Sequence, residues 1–264
     1  MNAFSFEVYP KVNIFLKILG RERGYHTLVS RLVLVKNSFR DHISIKNART
    51  FALKGDFDCP VQSNTLYKAL QALRSHMEFR NVKSSLLRAL DSLEIEVEKH
   101  IPTQAGFGGG SANAGGLLRH LNTHLELGLT LDELYHVGMR VGSDVNFFIS
   151  GLEYAHVSHF GEIVESCQDM PLELELLASK IACKTSEVYQ AFGQTQPIPL
   201  DLNMLKNTHS AILLQNHTRS TLNDLLQAAL KVVPALQELE TNLATRWFFS
   251  GSGSGFFALK ENRV

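Results

Sequence analysis

The chain opens on alternation. Phe4, Phe6 and Val8 are separated by polar residues, the two-residue period of a strand with one buried face. Residues 12–19 predict a second strand, and 32–35 and 42–45 continue a β-rich opening. The period then changes. Leu66, Ala69, Leu70, Leu73 and Met77 recur at helical spacing behind Ser63-Asn64, a pair suited to capping a helix. Leu86, Leu87 and Leu90 predict another helix over 84–92, and Leu93, Ile95 and Val97 return to strand alternation. Pro102 and a glycine-rich run follow, then a helix expected from about Ser111 through Leu117, Leu118 and Leu121. Thr130 and Glu133 have the spacing of a capping box, for a helix reaching Val141 and stopped by Gly142. Residues 154–159 and 172–177 predict strands of a second half. Leu222, Leu225, Leu226, Ala229 and Val233 predict one helix as far as Pro234, with a restart through Leu236, Leu239 and Leu243. Residues 246–249 and 256–259 close the chain as two strands around a glycine-serine turn. The one boundary that the pattern offers lies near Gly151, separating 1–151 from 152–264.

Composition narrows the class. With 264 residues, 44% hydrophobic and 20% charged, the chain has the make-up of one or two globular domains. Its 26 Lys and Arg balance 26 Asp and Glu, which argues against nucleic acid or an anionic membrane surface as partner. Cys59, Cys167 and Cys183 are far apart and odd in number, so a disulfide framework is not expected and a reducing cytoplasm fits. The N-terminus lacks the basic start of a signal peptide, and no run approaches the roughly 18 apolar residues of a membrane span. With no long heptad, a monomer or weak homodimer is expected.

The most informative stretch is Pro102-Thr103-Gln104-Ala105-Gly106-Phe107-Gly108-Gly109-Gly110-Ser111-Ala112. Its four glycines leave backbone N–H groups unshielded, and the helix that follows points its positive end into the loop. Strand, glycine loop and helix start together make a phosphate cradle rather than a mere tight turn. Two common cradles are excluded. A P-loop would end in Gly-Lys-Ser/Thr, and a dinucleotide fingerprint from Gly106 would need glycine at Ser111. His120 and His124 have the four-residue spacing of zinc ligands but lack the HExxH glutamate, so an exposed helix face is expected there.

Taken with other segments, the loop resembles the phosphate motif of the GHMP kinase superfamily. Residues 10–17 (Pro-Lys-Val-Asn-Ile-Phe-Leu-Lys) and 23–26 (Arg-Gly-Tyr-His) resemble signatures of one branch, which phosphorylates the 2-hydroxyl of a cytidine-diphosphate-linked methylerythritol on the non-mevalonate route to isoprenoids. Residues 142–148 (Gly-Ser-Asp-Val-Asn-Phe-Phe) and 250–255 (Ser-Gly-Ser-Gly-Ser-Gly) resemble two further motifs, in the right order. The sequence departs from the pattern at Gln104, at Ala112 and Asn113, where serine and aspartate are usual, and at Asn146, where proline is usual.

The resemblance implies an α+β, two-lobed GHMP kinase fold, with an N-terminal lobe of the ribosomal protein S5 domain 2-like type and a smaller α+β C-terminal lobe. It implies ATP and Mg²⁺ as cofactors and a small-molecule substrate, a cytidine diphosphate derivative. Lys11 and Asp144 are implied as the catalytic pair. Residues 102–112 would bind ATP phosphates, with Asn64 and Leu66 at the adenine. Asn13, Tyr25, His26, Thr185 and Tyr189 would bind substrate. The residue types suit these roles. A hydroxyl acceptor must lose a proton, which a carboxylate takes, and an ammonium steadies the charge. Cytosine offers a π face to an aromatic ring and a hydrogen-bonding edge to imidazole. By residue type alone, Lys11 reads as an edge lysine with its head in water, Asp144 as a solvated turn residue and Tyr25 as a core aromatic. The rival functions are a kinase of homoserine, mevalonate or a sugar, and an inactive nucleotide-binding relative. Tyr25-His26 argues against the first, and the presence of both Lys11 and Asp144 against the second.

Overall fold

The computed structural model describes residues 2–193, 195 and 197–261. The first strands are β1 (Phe4–Val8), β2 (Lys11–Glu22), β3 (Tyr25–Leu34), β4 (Asp41–Asn47) and β5 (Ala52–Gly55). Helices α1 (Thr65–Phe79) and α2 (Ser84–Asp91) lead to β6 (Leu93–Glu98), followed by α3 (Gly109–His124), α4 (Leu131–Gly138) and α5 (Val145–Ser150). Then come β7 (Tyr154–His159), β8 (Ile163–Ser166), β9 (Leu174–Leu177) and α6 (Thr185–Phe192). Short helices α7 (Leu202–Asn207), α8 (Ser210–Asn216), α9 (Arg219–Leu222), α10 (Leu226–Val232) and α11 (Pro234–Asn242) precede β10 (Phe248–Phe249) and β11 (Phe256–Leu259).

The chain divides into two compact units. The first takes residues up to Pro10, 39–101 and 109–151; the second takes 11–38, 102–108 and everything from Leu152. A cut after Gly151 is therefore one of several. The 11–38 hairpin belongs with the second half of the chain because β3 pairs along β7, from Leu28 opposite His159 to Val33 opposite Tyr154.

In the first unit the sheet order is β1-β4-β6-β5, antiparallel except for the β5–β6 pair. Phe6, Val8, Ile43, Ile45, Ile95 and Val97 form its buried face, which α3 covers, with α1 packed on α3. Two adjacent glycines let α3 lie between β1 and α5. A Cβ at Gly116 would stand 2.6 Å from a Val8 methyl, and one at Gly115 would stand 2.6 Å from Phe148 Cβ. The second unit has a sheet of order β2-β3-β7-β8 and another of order β10-β11-β9. Leu16, Val188, Phe192, Leu225, Leu226, Leu236, Phe249 and Phe256 gather into its apolar core.

Several boundaries differ from the sequence pattern. Helix α3 begins at Gly109, not near Ser111, so two loop glycines form its first turn. Helix α4 ends at Gly138. Beyond it Arg140 and Val141 bond three residues back rather than four, and a short helix, α5, starts after Asp144. The helix expected across 222–233 is broken at Asn223–Leu225, where side chains take over the backbone bonding. Asn223 Oδ1 accepts from Leu225 N at 2.9 Å, and Asp224 N donates to Leu16 O at 3.0 Å. The pair His120 and His124 does not simply face solvent: the rings stack on Phe6 and Phe4, at 3.9 and 3.7 Å.

The second unit is braced by one buried cation. Arg31 is fully buried in β3, and all three of its nitrogens donate: to His156 Nε2, Asp169, Ser210 Oγ, and the carbonyls of Leu205, Lys206 and Thr208. A guanidinium can meet that many acceptors; a lysine could not. The bond from Arg31 Nε requires His156 Nε2 to carry no proton, so this imidazole is neutral. Burial first, and the Arg31 charge second, push its pKa down to about 4. Burial first, then the Arg119 charge, likewise lowers His120 to about 4. Unfolded, both rings would titrate near 6.5. The unfolded chain thus binds these protons first, and stability falls as pH drops from about 6.5 toward 4. Thermal unfolding should show Tm declining by the order of 5 °C or more across that window. His156→Gln, which keeps an acceptor for Arg31, should have a shallower decline.

Candidate active site

Lys11 and Asn13 are two residues apart on β2 and so share one face of the strand. Neither is solvated: Lys11 is 3% exposed and Asn13 4%. Lys11 is therefore no edge lysine. Its Nζ donates to Asn13 Oδ1 at 2.7 Å, Asn13 Nδ2 donates to Ser30 Oγ at 2.8 Å, and Ser30 Oγ donates to Phe15 O at 2.5 Å. The order of donors fixes the amide. Because the Ser30 hydroxyl spends its proton on Phe15 O, it can only accept from Asn13, which turns Oδ1 toward the ammonium.

The backbone of the same residue meets the glycine loop, Lys11 N donating to Phe107 O at 2.9 Å. Within the loop Gln104, Gly106 and Gly108 have φ of 53°, 72° and 72°, the left-handed region. At Gly106 a side chain is impossible for a second reason: a Cβ would lie 2.2 Å from Ser250 O. The 250–255 turn packs backbone to backbone on this loop. Ser254 N donates to Gln104 O at 3.3 Å, Gly255 N to Ala105 O at 3.0 Å and Ser250 Oγ to Gly106 O at 3.0 Å. Gly251 comes equally close to the Lys11–Asn13 pair, since a Cβ there would lie 3.3 Å from Asn13 Oδ1 and 3.4 Å from Lys11 Nζ. Asn223, at the helix break, holds this turn by donating from Nδ2 to Phe249 O at 3.0 Å and Gly251 O at 2.9 Å.

Downstream, the loop runs into α3, whose first-turn N–H groups have no intrahelical acceptor. In the first unit, Thr65 Oγ1 donates to Gly110 O at 2.8 Å, and Asn64 caps α1 through Leu66 N. The Leu66 side chain is wholly buried, and Thr65 reaches the first turn of α3. Ala112 is buried without a hydroxyl, and the Oδ1 of buried Asn113 has no hydrogen-bond partner among the described residues. Asp144 occupies the N-cap position of α5 without capping it. Ser111 Oγ lies beside the same turn, 3.9 Å from where a Cβ of Gly142 would be. Gly138 leaves room for Asn146, whose Oδ1 a Cβ would meet at 2.4 Å.

At the tip of the β2–β3 hairpin Tyr25 is 70% exposed, not a core residue, and its ring meets Phe160 edge-on at 5.9 Å. His26 lies 5.5 Å from both Tyr189 and Phe192 on α6, ring centre to ring centre. Burial, with a smaller part from the Arg21 charge, holds its pKa below the ordinary value, so the imidazole is neutral at pH 7. Thr185 opens α6, and its hydroxyl lies 2.8 Å from Ser252 Oγ, while Cys183 Sγ donates to Ser252 O at 3.1 Å. Burial pushes that thiol up to about 11, so it is no nucleophile. In the second unit, then, Lys11 and Asn13 share one cluster, His26 and Tyr189 another, and Thr185 reaches the glycine turn. Ser252 belongs to the 250–255 motif, whereas Ser30, Asn223, Phe160 and Phe192 lie outside every motif in the sequence; Phe192 alone has a signal, an aromatic one helical turn from Tyr189.

Three glycine positions, 106, 109 and 110, are places where a Cβ would meet protein at 3.2 Å or less, so tight packing keeps side chains off this stretch of backbone. Among the described residues no three His, Cys, Asp or Glu gather as a cation cage. No helix among the described residues is long and apolar enough to cross a membrane.

Residues 64–152 match the family of GHMP kinases N terminal domain. A Helicobacter pylori protein named 4-diphosphocytidyl-2-C-methyl-D-erythritol kinase is 51% identical over 261 residues, 98% of this chain and 95% of its own. A Sulfurovum protein of the same name is 41% identical, covering 98% of this chain and all of its own length. A crystal structure of 4-(cytidine 5'-diphospho)-2C-methyl-D-erythritol kinase superposes with a TM-score of 0.73 at 24% identity, over 98% of this chain and 90% of that one. The fold is thus that of the GHMP kinases, and the chain belongs to the 4-diphosphocytidyl-2-C-methyl-D-erythritol kinase family.

Proposed function

We infer that the protein transfers the γ-phosphoryl group of ATP to the 2-hydroxyl of 4-diphosphocytidyl-2-C-methyl-D-erythritol, giving the 2-phosphate and ADP. The observation that carries this is the 51% identity to a kinase of that name across 98% of the chain. The reaction serves the non-mevalonate route to isoprenoids, and the three free cysteines support a cytoplasmic setting.

In this reading the N–H groups of residues 106–111 receive the phosphates, and the α3 dipole adds favourable charge. Mg²⁺, when bound with ATP, neutralises phosphate charge; Ser111 is the hydroxyl on the loop that would reach it. Asp144, the N-cap residue of α5 whose side chain does not cap the helix, takes the proton of the substrate hydroxyl. Lys11 stabilises charge on the transferring group. Its preorganisation by Asn13, Ser30 and Phe15 O means that no rearrangement is needed at the moment of transfer. Tyr25 and Tyr189 supply aromatic faces for cytosine, and neutral His26 a hydrogen-bonding edge. Thr185 binds substrate from the start of α6. Asn64 and Leu66 are assigned to the adenine end, as the family resemblance implies.

Two measurements test these assignments. Asp144→Asn should leave ATP and substrate binding intact while kcat falls by about 10²-fold, the usual contribution of a positioned acid–base group. A correctly folded variant with near-normal kcat would refute the role. Tyr25→Ala should weaken the cytidine substrate by about 5- to 150-fold, the scale of base–aromatic stacking, and spare ATP. Because Tyr25 is exposed, Tm should not move, and Tyr25→Phe should be mild. Equal weakening of both ligands would contradict the stacking role.

A further inference from the structure

The hairpin tip is tied to the β7–β8 turn by an arrangement that no substrate role explains. His159 ends β7 beside Leu28 of β3. Its Nδ1 bonds Glu162 Oε1, and its Nε2 lies 3.2 Å from Glu22 Oε2. Glu22 is the residue paired across the hairpin with Tyr25. The other oxygen of Glu162 accepts from Phe160 N at 2.8 Å, so one carboxylate fixes both the imidazole and the next residue. The Phe160 ring lies 3.8 Å from His159, tilted by 39°, and meets Tyr25 edge-on at 5.9 Å. Imidazole and tip are therefore linked twice, through Glu22 and through Phe160.

The protonation state follows from the partners. Ionised carboxylates only accept hydrogen bonds, so both ring nitrogens must donate, and an imidazole that donates twice is an imidazolium. Loss of one proton turns a lone pair toward a carboxylate and costs one of the two ties. Glu162 is held by the turn backbone, and Glu22 is half-exposed with Arg23 3.4 Å away as an alternative partner. The tie to Glu22 is the one released.

We propose that His159 is a positioning residue for the cytidine end of the substrate, an imidazolium latch whose deprotonation frees the Tyr25 tip and weakens substrate binding. This rests on reading Tyr25 and His26 as the cytosine site. The charged groups facing His159 are Glu22 and Arg23 from the hairpin and Glu162 from the turn. Hydrogen bonding to Glu162, then to Glu22, raises its pKa above the ordinary value, which places the release above pH 6.5. Burial shifts His26 in the opposite direction, below the ordinary value.

The test is the Kd of 4-diphosphocytidyl-2-C-methyl-D-erythritol, measured by calorimetry without ATP from pH 6.5 to 9. For the unmodified protein Kd should rise about 2- to 5-fold, the range of an exposed ion pair, while Kd for ATP stays flat. The two variants should lock opposite levels. His159→Gln carries its N–H groups on a single nitrogen, which cannot stand where both ring nitrogens do, so its Kd should be pH-independent at the high-pH value. Glu22→Gln can accept from or donate to the ring, so its Kd should be pH-independent at the low-pH value. A wild-type pH response in His159→Gln, with Tyr25→Ala still weakening the substrate, overturns the latch alone. Unchanged affinity in Tyr25→Ala overturns the cytosine reading and the latch with it.

Discussion

The end of the second unit that carries Lys11 depends on three backbones meeting with no side chain between them. The 104–108 loop, the 250–255 turn and the first residue of β2 are joined by main-chain hydrogen bonds, and Gly106 is close enough to Ser250 O that a methyl group could not enter. Lys11 is aimed by this junction rather than by its own rotamer preferences. Its amide bonds the phosphate loop, its ammonium bonds Asn13, and Gly251 backs both. A flexible lysine becomes a fixed charge, which is the condition for electrostatic stabilisation without reorganisation.

The rest of the unit keeps that junction in place by burying polar groups and satisfying them. The break between α9 and α10 spends helical hydrogen bonds on two side chains with separate tasks. Asn223 grips the carbonyls of Phe249 and Gly251, and Asp224 pairs with buried Lys17 and accepts from Ile18 N. Lys17 also donates to the carbonyls of Ile198 and Thr221, and Arg31 binds the backbone between α7 and α8. Removing one partner from such a buried pair typically costs about 3–5 kcal/mol, because the other charge stays buried and alone. These groups therefore specify how the short C-terminal helices sit on the β2–β3 hairpin.

What the sequence disclosed and what it hid divide along a physical line. The cap at Asn64, the capping box at Thr130 and Glu133, and the alternating strands at Phe4 and Leu93 depend on residues a few positions apart, and all are legible. The glycine loop was legible for the same reason, and its motif order identified the family. Lys17 with Asp224, and Arg31 with Asp169, are separated by 207 and 138 positions, and no periodicity connects them. The one sign was a charge on an otherwise apolar strand. The helix pattern across 222–233 misled because Leu222, Leu225 and Leu226 are buried at helical spacing, although Asn223 and Asp224 turn the backbone elsewhere. The spacing of His120 and His124 predicts only an exposed face, because their partners Phe6 and Phe4 lie on another element.

The central claim concerns the acceptor, and turnover decides it most directly. The purified protein would be assayed with ATP and Mg²⁺ against 4-diphosphocytidyl-2-C-methyl-D-erythritol, homoserine and mevalonate, with ADP release measured and the phosphorylated product located by phosphorus NMR. The account predicts turnover of the cytidine compound alone, with the new phosphate on its 2-hydroxyl. Phosphorylation of homoserine or mevalonate at a comparable kcat/KM, or ATP binding without transfer to the cytidine compound, would contradict it.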